Sequence, residues 1–494
     1  MPISFNNIPS DLRVPLFYAE VDNSQANSAG SSMPRLIVAQ VNDDATAPEI
    51  GQLTLVSSLG LAKSIGGVGS MLAQMYETWR RSDPAGEVWC LPILGEGEQA
   101  TGTVTITGAA TEGGELNLYL GGRRVRATVT KGATPTAVAT VLAAEVNAAG
   151  LSVTAAAVAG VVTLTCKWSG ASGNDLVLQI NRLGRNNGEA TPAGLTVVLA
   201  AMSGGVGSPD VAVALASLGD EPFEFICAPW ADATSLDAWK AFMDDSSGRW
   251  SWAKQLYGHV YTAKRGTLGE LVALGAARND RHATIHGFET SCPDPVWNVA
   301  AAYAARTAVF ISADPARPTQ SGELSGVIPA PAGERFTLTE RQSLLNRGIA
   351  TAYYGGGAQR IERAITSYQL NAYDQPDDSY LDSEPLHQSA YVIGYLKGRV
   401  TSKYGRHKLA NDGTRFGAGQ AIVTPNVIRA ELIAGHYALE LLGIVENAEA
   451  FAANLVVERS STNPNRINVL YPPDLVNQLR IFALQYQFRL QYAV

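Results

Sequence analysis

Several groups of residues in this chain have the types that do chemistry, and their spacing decides whether they can. Gly66, Gly67 and Gly69 are set like part of a phosphate loop, in which glycines let backbone N–H groups close on an anion. Leu72 stands where a third glycine is needed, and no Gly-Lys-Ser/Thr run follows. His282 and His286 lie in a stretch that reads as a strand, where four residues separate them by about 13 Å, too far to share a metal. Each is expected to be a satisfied structural histidine. The acidic run Asp374, Asp377, Asp378, Asp382 and Glu384 could bind a divalent cation, but it lacks the central glycine and ligand spacing of a calcium loop and reads better as a solvated loop. Cys90, Cys166, Cys227 and Cys292 form no CxxC pair, which argues against a thiolate zinc site or a disulfide framework and for reduced thiols in a cytoplasmic folding compartment. There is no GxSxG elbow. No catalytic, cofactor-binding or metal-binding residue is assigned, and no cofactor is expected.

Two other groups point to recognition instead. Lys397, Arg399, Lys403, Arg406, His407 and Lys408 fall together in a chain whose net charge is −8, at or after the end of a helix that starts near Glu384. They either complement that helix's dipole in solvent or form a positive strip facing an acidic partner. The second group is a pattern. From Phe482 the even positions read Phe482, Leu484, Tyr486, Phe488, Leu490, Tyr492 and Val494, with Ala483, Gln485, Gln487, Arg489, Gln491 and Ala493 between them. A period of two is that of a strand with one apolar face, and residues 479–494 predict one roughly twice the usual length. A strand at 466–471 can pair with only its first half. Residues 479–485 are therefore expected in the core, and those from Tyr486 onward are expected to be handed to another subunit. At the other end, Pro2, Pro9, Pro15 and Pro34 exclude a helix or central strand, so Ile3, Phe5 and Ile8 sit on an extended arm that buries side chains only against something else.

The elements between these ends set the architecture. At 494 residues, with 46% hydrophobic and 17% charged, the chain is globular and long enough for two to four domains. Its acidic balance speaks against nucleic-acid binding. The N-terminal residues lack the basic and apolar regions of an export signal, and the most apolar stretch, 296–313, is interrupted by Asn298 and Arg306, so a soluble protein without membrane insertion is expected. A strand at 35–41, a helix at 70–81 and a strand at 87–94 begin an α/β pattern. Residues 96–207 turn rich in Thr, Val, Ala and Gly with short strands, which predicts an inserted mostly-β domain. Three strand-helix units then follow from Pro209 and imply parallel strands.

The segments TLTERQSLLNRGIAT (337–351), IERAITSYQLNAYDQPDDSYLD (361–382), 423–451 and 457–490, with the opening ISFNNIPSDLRVP and DNSQA (22–26), resemble the contractile tail sheath proteins of Mu-like bacteriophages. The expected fold is therefore α/β (α+β) multidomain. It comprises an N-terminal arm and linker (1–34), a discontinuous α/β domain (35–95 and 208–335), the β-rich insertion (96–207), a C-terminal α+β sheath core domain (336–485) and an exchanged strand (486–494). The resemblance implies a structural subunit, not an enzyme, that forms hexameric rings stacked helically around a tail tube and contracts to drive the tube through a bacterial envelope. It implies as partners other copies of the chain, the tail tube protein, and baseplate and tail terminator proteins. It places the protein in the virion tail, and in the host cytoplasm during assembly. The alternative from the strand-helix units alone is an enzyme or ligand-binding protein with a site at the strands' carboxyl ends, where Pro229, Lys264, Arg265 and Glu289 lie.

Overall fold

The computed structural model describes residues 33–491. The chain enters through β1 (Arg35–Gln40) and a short β2 (Thr54–Leu55), then helices α1 (Leu59–Gly66) and α2 (Met71–Ser82), and returns in β3 (Val88–Ile93). The serine hydroxyls of Ser58 and Ser70 accept the N–H groups of Leu61 and Ala73, capping α1 and α2. Helix α1 was not anticipated, because its eight residues carry too short a pattern to show a period. The middle region holds β4 (Gln99–Gly108), β5 (Gly114–Leu120), β6 (Arg123–Val129), α3 (Pro135–Ala148), β7 (Val153–Val158), β8 (Val161–Ser169), β9 (Leu178–Ile180) and β10 (Leu195–Ser203). Next come α4 (Val211–Leu215), β11 (Phe225–Cys227), α5 (Ala233–Met243), β12 (His259–Arg265), α6 (Leu268–Ala276), β13 (Ala283–Phe288) and α7 (Val296–Ala313).

These segments close one six-stranded sheet in the order β13-β12-β11-β1-β3-β2, parallel except for the edge strand β2. Strands covered on both faces need side chains that can be buried on both, which is why LIVA of β1 and FIC of β11 read as continuous apolar runs, while β13 buries Thr284 and His286 among its apolar residues. Helix α2 packs on β1, and α7 packs on β11 and β12. Buried Ala300, Ala301, Ala304, Ala305 and Ala308 keep the surface of α7 low, so α2 and α7 also pack against each other. No helix among the described residues is long and apolar enough to cross a membrane.

The middle region forms two antiparallel sheets, β10-β4-β8-β7 and β6-β5-β9, with α3 packed against them. Its two crossings run side by side, since Glu98 and Val206 exchange backbone hydrogen bonds of 2.9 and 3.2 Å. It seats on the carboxyl end of the parallel sheet. The Gln40 amide donates to the Ser169 carbonyl at 2.8 Å, the Ser172 hydroxyl donates to Gln40 Oε1 at 2.6 Å, and Trp168 meets Trp297 edge to face at 5.3 Å.

The last third holds α8 (Leu338–Leu345), the hairpin β14 (Thr351–Gly355) and β15 (Ala358–Arg363), and the long α9 (Glu384–Tyr404). It continues with β16 (Lys408–Leu409), β17 (Ile422–Val423), α10 (Pro425–Leu441), β18 (Val445–Glu446), α11 (Ala448–Asn454), β19 (Val456–Arg459), β20 (Ile467–Leu470) and β21 (Asp474–Leu475). Apolar residues of α9 and α10 close two small cores with Phe451, Tyr471 and Leu475.

The terminal strand requires a correction. β20 pairs antiparallel with β19, Val456 opposite Leu470, and not with residues after 478. Residues 479–491 belong to no sheet, and Leu479, Phe482 and Leu484 are at least 69% exposed, so 479–485 is not core. The alternation states that one face must be covered; it does not say by what, and the hairpin's partner is already supplied by VVER.

Gly69 shows how tightly the middle region seats. Its φ is +82°, and a Cβ there would overlap the carbonyl oxygen of Leu151. Gly69→Ala is expected to lower stability by about 2–4 kcal/mol in urea unfolding. Gly413→Ala, at φ +79° with open space around it, should cost only about 1 kcal/mol. Equal losses would mean that the contact with Leu151 contributes nothing.

Candidate functional site

The C-terminal segment leaves the body at one point. The Val476 N–H donates to Ile444 O at 3.2 Å, the Gln388 side chain donates to Val476 O at 3.3 Å, and the Gln320 side chain donates to Leu479 O at 3.1 Å. Arg480 Nη2 lies 2.9 Å from Glu384 Oε2 and 3.4 Å from Asp382 Oδ1. Beyond it, Ile481, Phe482, Leu484, Tyr486, Phe488 and Leu490 are 69–97% exposed. Of the residues assigned to exchange, Tyr486, Phe488 and Leu490 therefore share this exposed stretch. Ile3, Phe5, Ile8, Tyr492 and Val494 lie outside the described residues.

The basic strip is divided. Lys397, Arg399 and Lys403 lie on the last two turns of α9, and Arg406 and Lys408 just past it. Glu431 of α10 takes Arg399 and also Lys403, at 2.6 Å from its Nζ. Arg399 further donates to the Tyr395 hydroxyl at 2.9 Å. These partners hold the Glu431 carboxyl below its usual range despite burial. Lys408 Nζ donates to Gln420 Oε1 at 3.2 Å, and Lys397, Arg406 and Lys408 are exposed. Lys403 is exposed as well but is paired with Glu431, and nothing in the sequence announced Glu431, which is 32 residues from Arg399.

The other candidates resolve into structure. Gly66, Gly67 and Gly69 turn the chain from α1 into α2 beside the Asn42 side chain. The acidic run is not one solvated loop. Asp377 accepts from the Tyr368 hydroxyl at 2.7 Å, Asp382 accepts two bonds of 2.8 Å from Arg363, and Glu384 is fully buried. No cluster that could hold a metal ion is present among the described residues. The crevice at the carboxyl ends of the parallel strands is filled from within. Asp175 lies 2.7 Å from Arg265 Nε and accepts the Val296 N–H at the start of α7 at 2.6 Å, while Glu289 accepts the Phe336 N–H at 3.0 Å. His282 pairs with Asp245 at 2.9 Å, and His286 donates from Nδ1 to Ala350 O at 3.3 Å and stacks on Tyr303 at 4.6 Å.

Three family models match in succession: the phage tail sheath protein beta-sandwich domain over residues 95–206, its central domain over 204–367 and its C-terminal domain over 375–489. The Mu-like prophage FluMu tail sheath protein of Haemophilus influenzae is 40% identical over 493 residues, covering 99% of this chain and 100% of that one. The chain belongs to the phage tail sheath protein family. The resemblance carried by residues 337–490 and the opening segment is thereby borne out, as is the α/β multidomain fold class. The sheath tail protein of Desulfitobacterium hafniense shares the fold at a TM-score of 0.50 and 12% identity, with 94% of this chain and 97% of that one covered. This sheath protein is a structural component of a phage tail, like its relatives.

Within the sheath protein, His286 is a buried group whose charge the fold opposes. Burial pushes its imidazole down to about 4. A histidine that is neutral when folded takes up its proton more readily when unfolded. Its contribution is therefore fully present above the unfolded value of about 6.5 and is lost as pH falls through 4. The loss is about 3 kcal/mol. Urea midpoints of the monomer at pH 7 and pH 4.5 should differ less in His286→Gln than in the parent. An unchanged difference would remove His286 as the source.

Proposed function

We propose that this sheath protein polymerises as hexameric rings stacked helically around a tail tube, and that the polymer contracts to drive the tube through a bacterial envelope for genome delivery. The observation that carries this reading is the alternating apolar segment 481–491, exposed and outside any sheet of its own chain. An uncovered apolar strand is an aggregation hazard, and its direct use is to add a strand to a neighbour's sheet edge. Covering side chains such as Phe482, Leu484, Tyr486 and Phe488 stabilises the contact by about 1.5–3 kcal/mol each. Among the described residues the β19–β20 pair is two strands wide, so it has an edge to offer. Donation of Tyr486, Phe488, Leu490, Tyr492 and Val494 at one end and Ile3, Phe5 and Ile8 at the other ties each subunit to more than one neighbour. A head-to-tail contact of this kind generates rings and open helices. Backbone ladders stay paired while the folded bodies rotate, so the lattice can shorten without coming apart. The energy for contraction is stored at assembly, in an extended packing that relaxes to one with larger contacts between bodies.

The exposed part of the basic strip faces the tail tube, and the ends of the polymer meet baseplate and tail terminator proteins. Assembly takes place in the host cytoplasm. No cofactor or catalytic step enters the cycle, which agrees with the structural character of the relatives.

Two experiments test this reading. Deleting residues 486–494 should leave a folded monomer that forms no tubes in negative-stain images, and normal tubes would sink the donated strand. Reversing Lys397, Arg406 and Lys408 to Glu should weaken sheath assembly on tail tubes at least tenfold and leave self-polymerisation intact. Tube decoration at the parent level would remove the strip from the tube interface.

A further inference from the structure

We propose that Arg480 is the positioning residue of the donated arm, a fixed pivot at which the chain passes from body to partner; this rests on the strand-donation reading. Its side chain is 11% exposed, although it follows Leu479 and precedes Ile481, which are 69% and 78% exposed. An arginine drawn inward between two exposed apolar residues reverses the usual order of burial. The carboxylates that draw it in are themselves immobilised. Glu384, fully buried, accepts the Thr319 N–H at 3.0 Å and the Thr319 hydroxyl at 2.8 Å on Oε1, which leaves Oε2 to Arg480. Asp382 is held by the fork of Arg363 from β15 and still reaches Arg480 at 3.4 Å. The four groups form a neutral quartet that fastens the start of the arm to the loop before α8, to β15 and to the N-terminus of α9.

Arg480 Nη2, which faces both carboxylates, also donates to Gln478 Oε1 at 3.1 Å, so the guanidinium is held inside through this one nitrogen. The Arg480–Glu384 pair is the last ion pair on the chain before the exposed stripe. A strand offered to a neighbour must arrive in one register, because a slip of one residue turns every apolar side chain to the wrong face. A fixed departure point sets that register and raises the local concentration of the arm at the receiving edge. Glu384 is also the first residue of α9, whose other end carries the basic strip about 30 Å away. Tension on the arm during contraction is therefore delivered to the helix assigned to the tube.

The test compares the parent with Arg480→Gln/Glu384→Gln, which removes both charges together so that no buried carboxylate is left unpaired. Arg480→Lys, which keeps the charge without the fork, serves as a second variant should the pair fail to fold. All four native cysteines are buried, so spin labels can be placed selectively on Gln485→Cys and Thr339→Cys in the monomer. The parent should give one narrow distance distribution between the labels. The double variant should broaden it at least twofold, reduce pelletable polymer at least tenfold, and leave the far-UV spectrum unchanged. Identical distributions and polymer yields in parent and variant, with no polymer from the chain lacking 486–494, would overturn the pivot and leave donation standing. Normal polymer from that truncated chain would overturn donation, and with it the role of Arg480 in assembly.

Discussion

An extended backbone must find hydrogen-bond partners for its N–H and C=O groups, and an apolar face beside it must find cover. From β1 to β21 every strand does so inside this chain. The segment 481–491 belongs to none of these sheets, and its large apolar side chains from Ile481 to Leu490 are exposed. The folded part holds the beginning of the segment, through Val476, Leu479 and Arg480, and leaves its apolar length exposed.

The body is built to hold that position. The middle region is bolted to the carboxyl ends of the parallel strands by Gln40, Asp43 and Asp175. The last third is bolted to the same sheet by His387, whose Nε2 meets the Tyr261 hydroxyl at 2.8 Å and whose Nδ1 meets Glu224. A backbone bridge adds to this joint, with Ala350 N donating to Ile285 O at 2.9 Å and Gly287 N donating to Ala350 O at 3.0 Å. Apart from the exposed contact of Asp43, these polar contacts are wholly or partly buried and have defined geometry, which specifies one arrangement of neighbouring elements where apolar packing alone would tolerate several. The crevice in which a doubly wound sheet would carry a ligand is used for one of these joints.

Polar residues that look alike in sequence take different parts. Asp374 to Glu384 begins as an exposed turn and ends as a buried ion-pair quartet; the difference lies in Arg363 and Arg480, the second of which is nearly a hundred residues downstream of Glu384. In the basic strip, Glu431 pairs with the partly buried Arg399 and the exposed Lys403, while Lys397, Arg406 and Lys408 are exposed without it. Charge counts along the chain cannot separate the two groups, because the partner sits on another helix.

Local pattern was enough to determine the strand-helix units, the β-rich stretch inserted among them, the long helix from Glu384 and the one-sided character of the terminal segment. Family membership was carried by the motifs between 337 and 490. Only the tertiary structure decided that β20 pairs with β19, that Ala-rich β7 is a strand, that residues 479–485 lie outside the core, and that Arg480 is drawn inward. The reason is the same in each case. Periodicity records which face of a segment must be covered, and residue type records what charge it carries, but both leave open the partner, which is fixed by contacts between residues far apart in the chain.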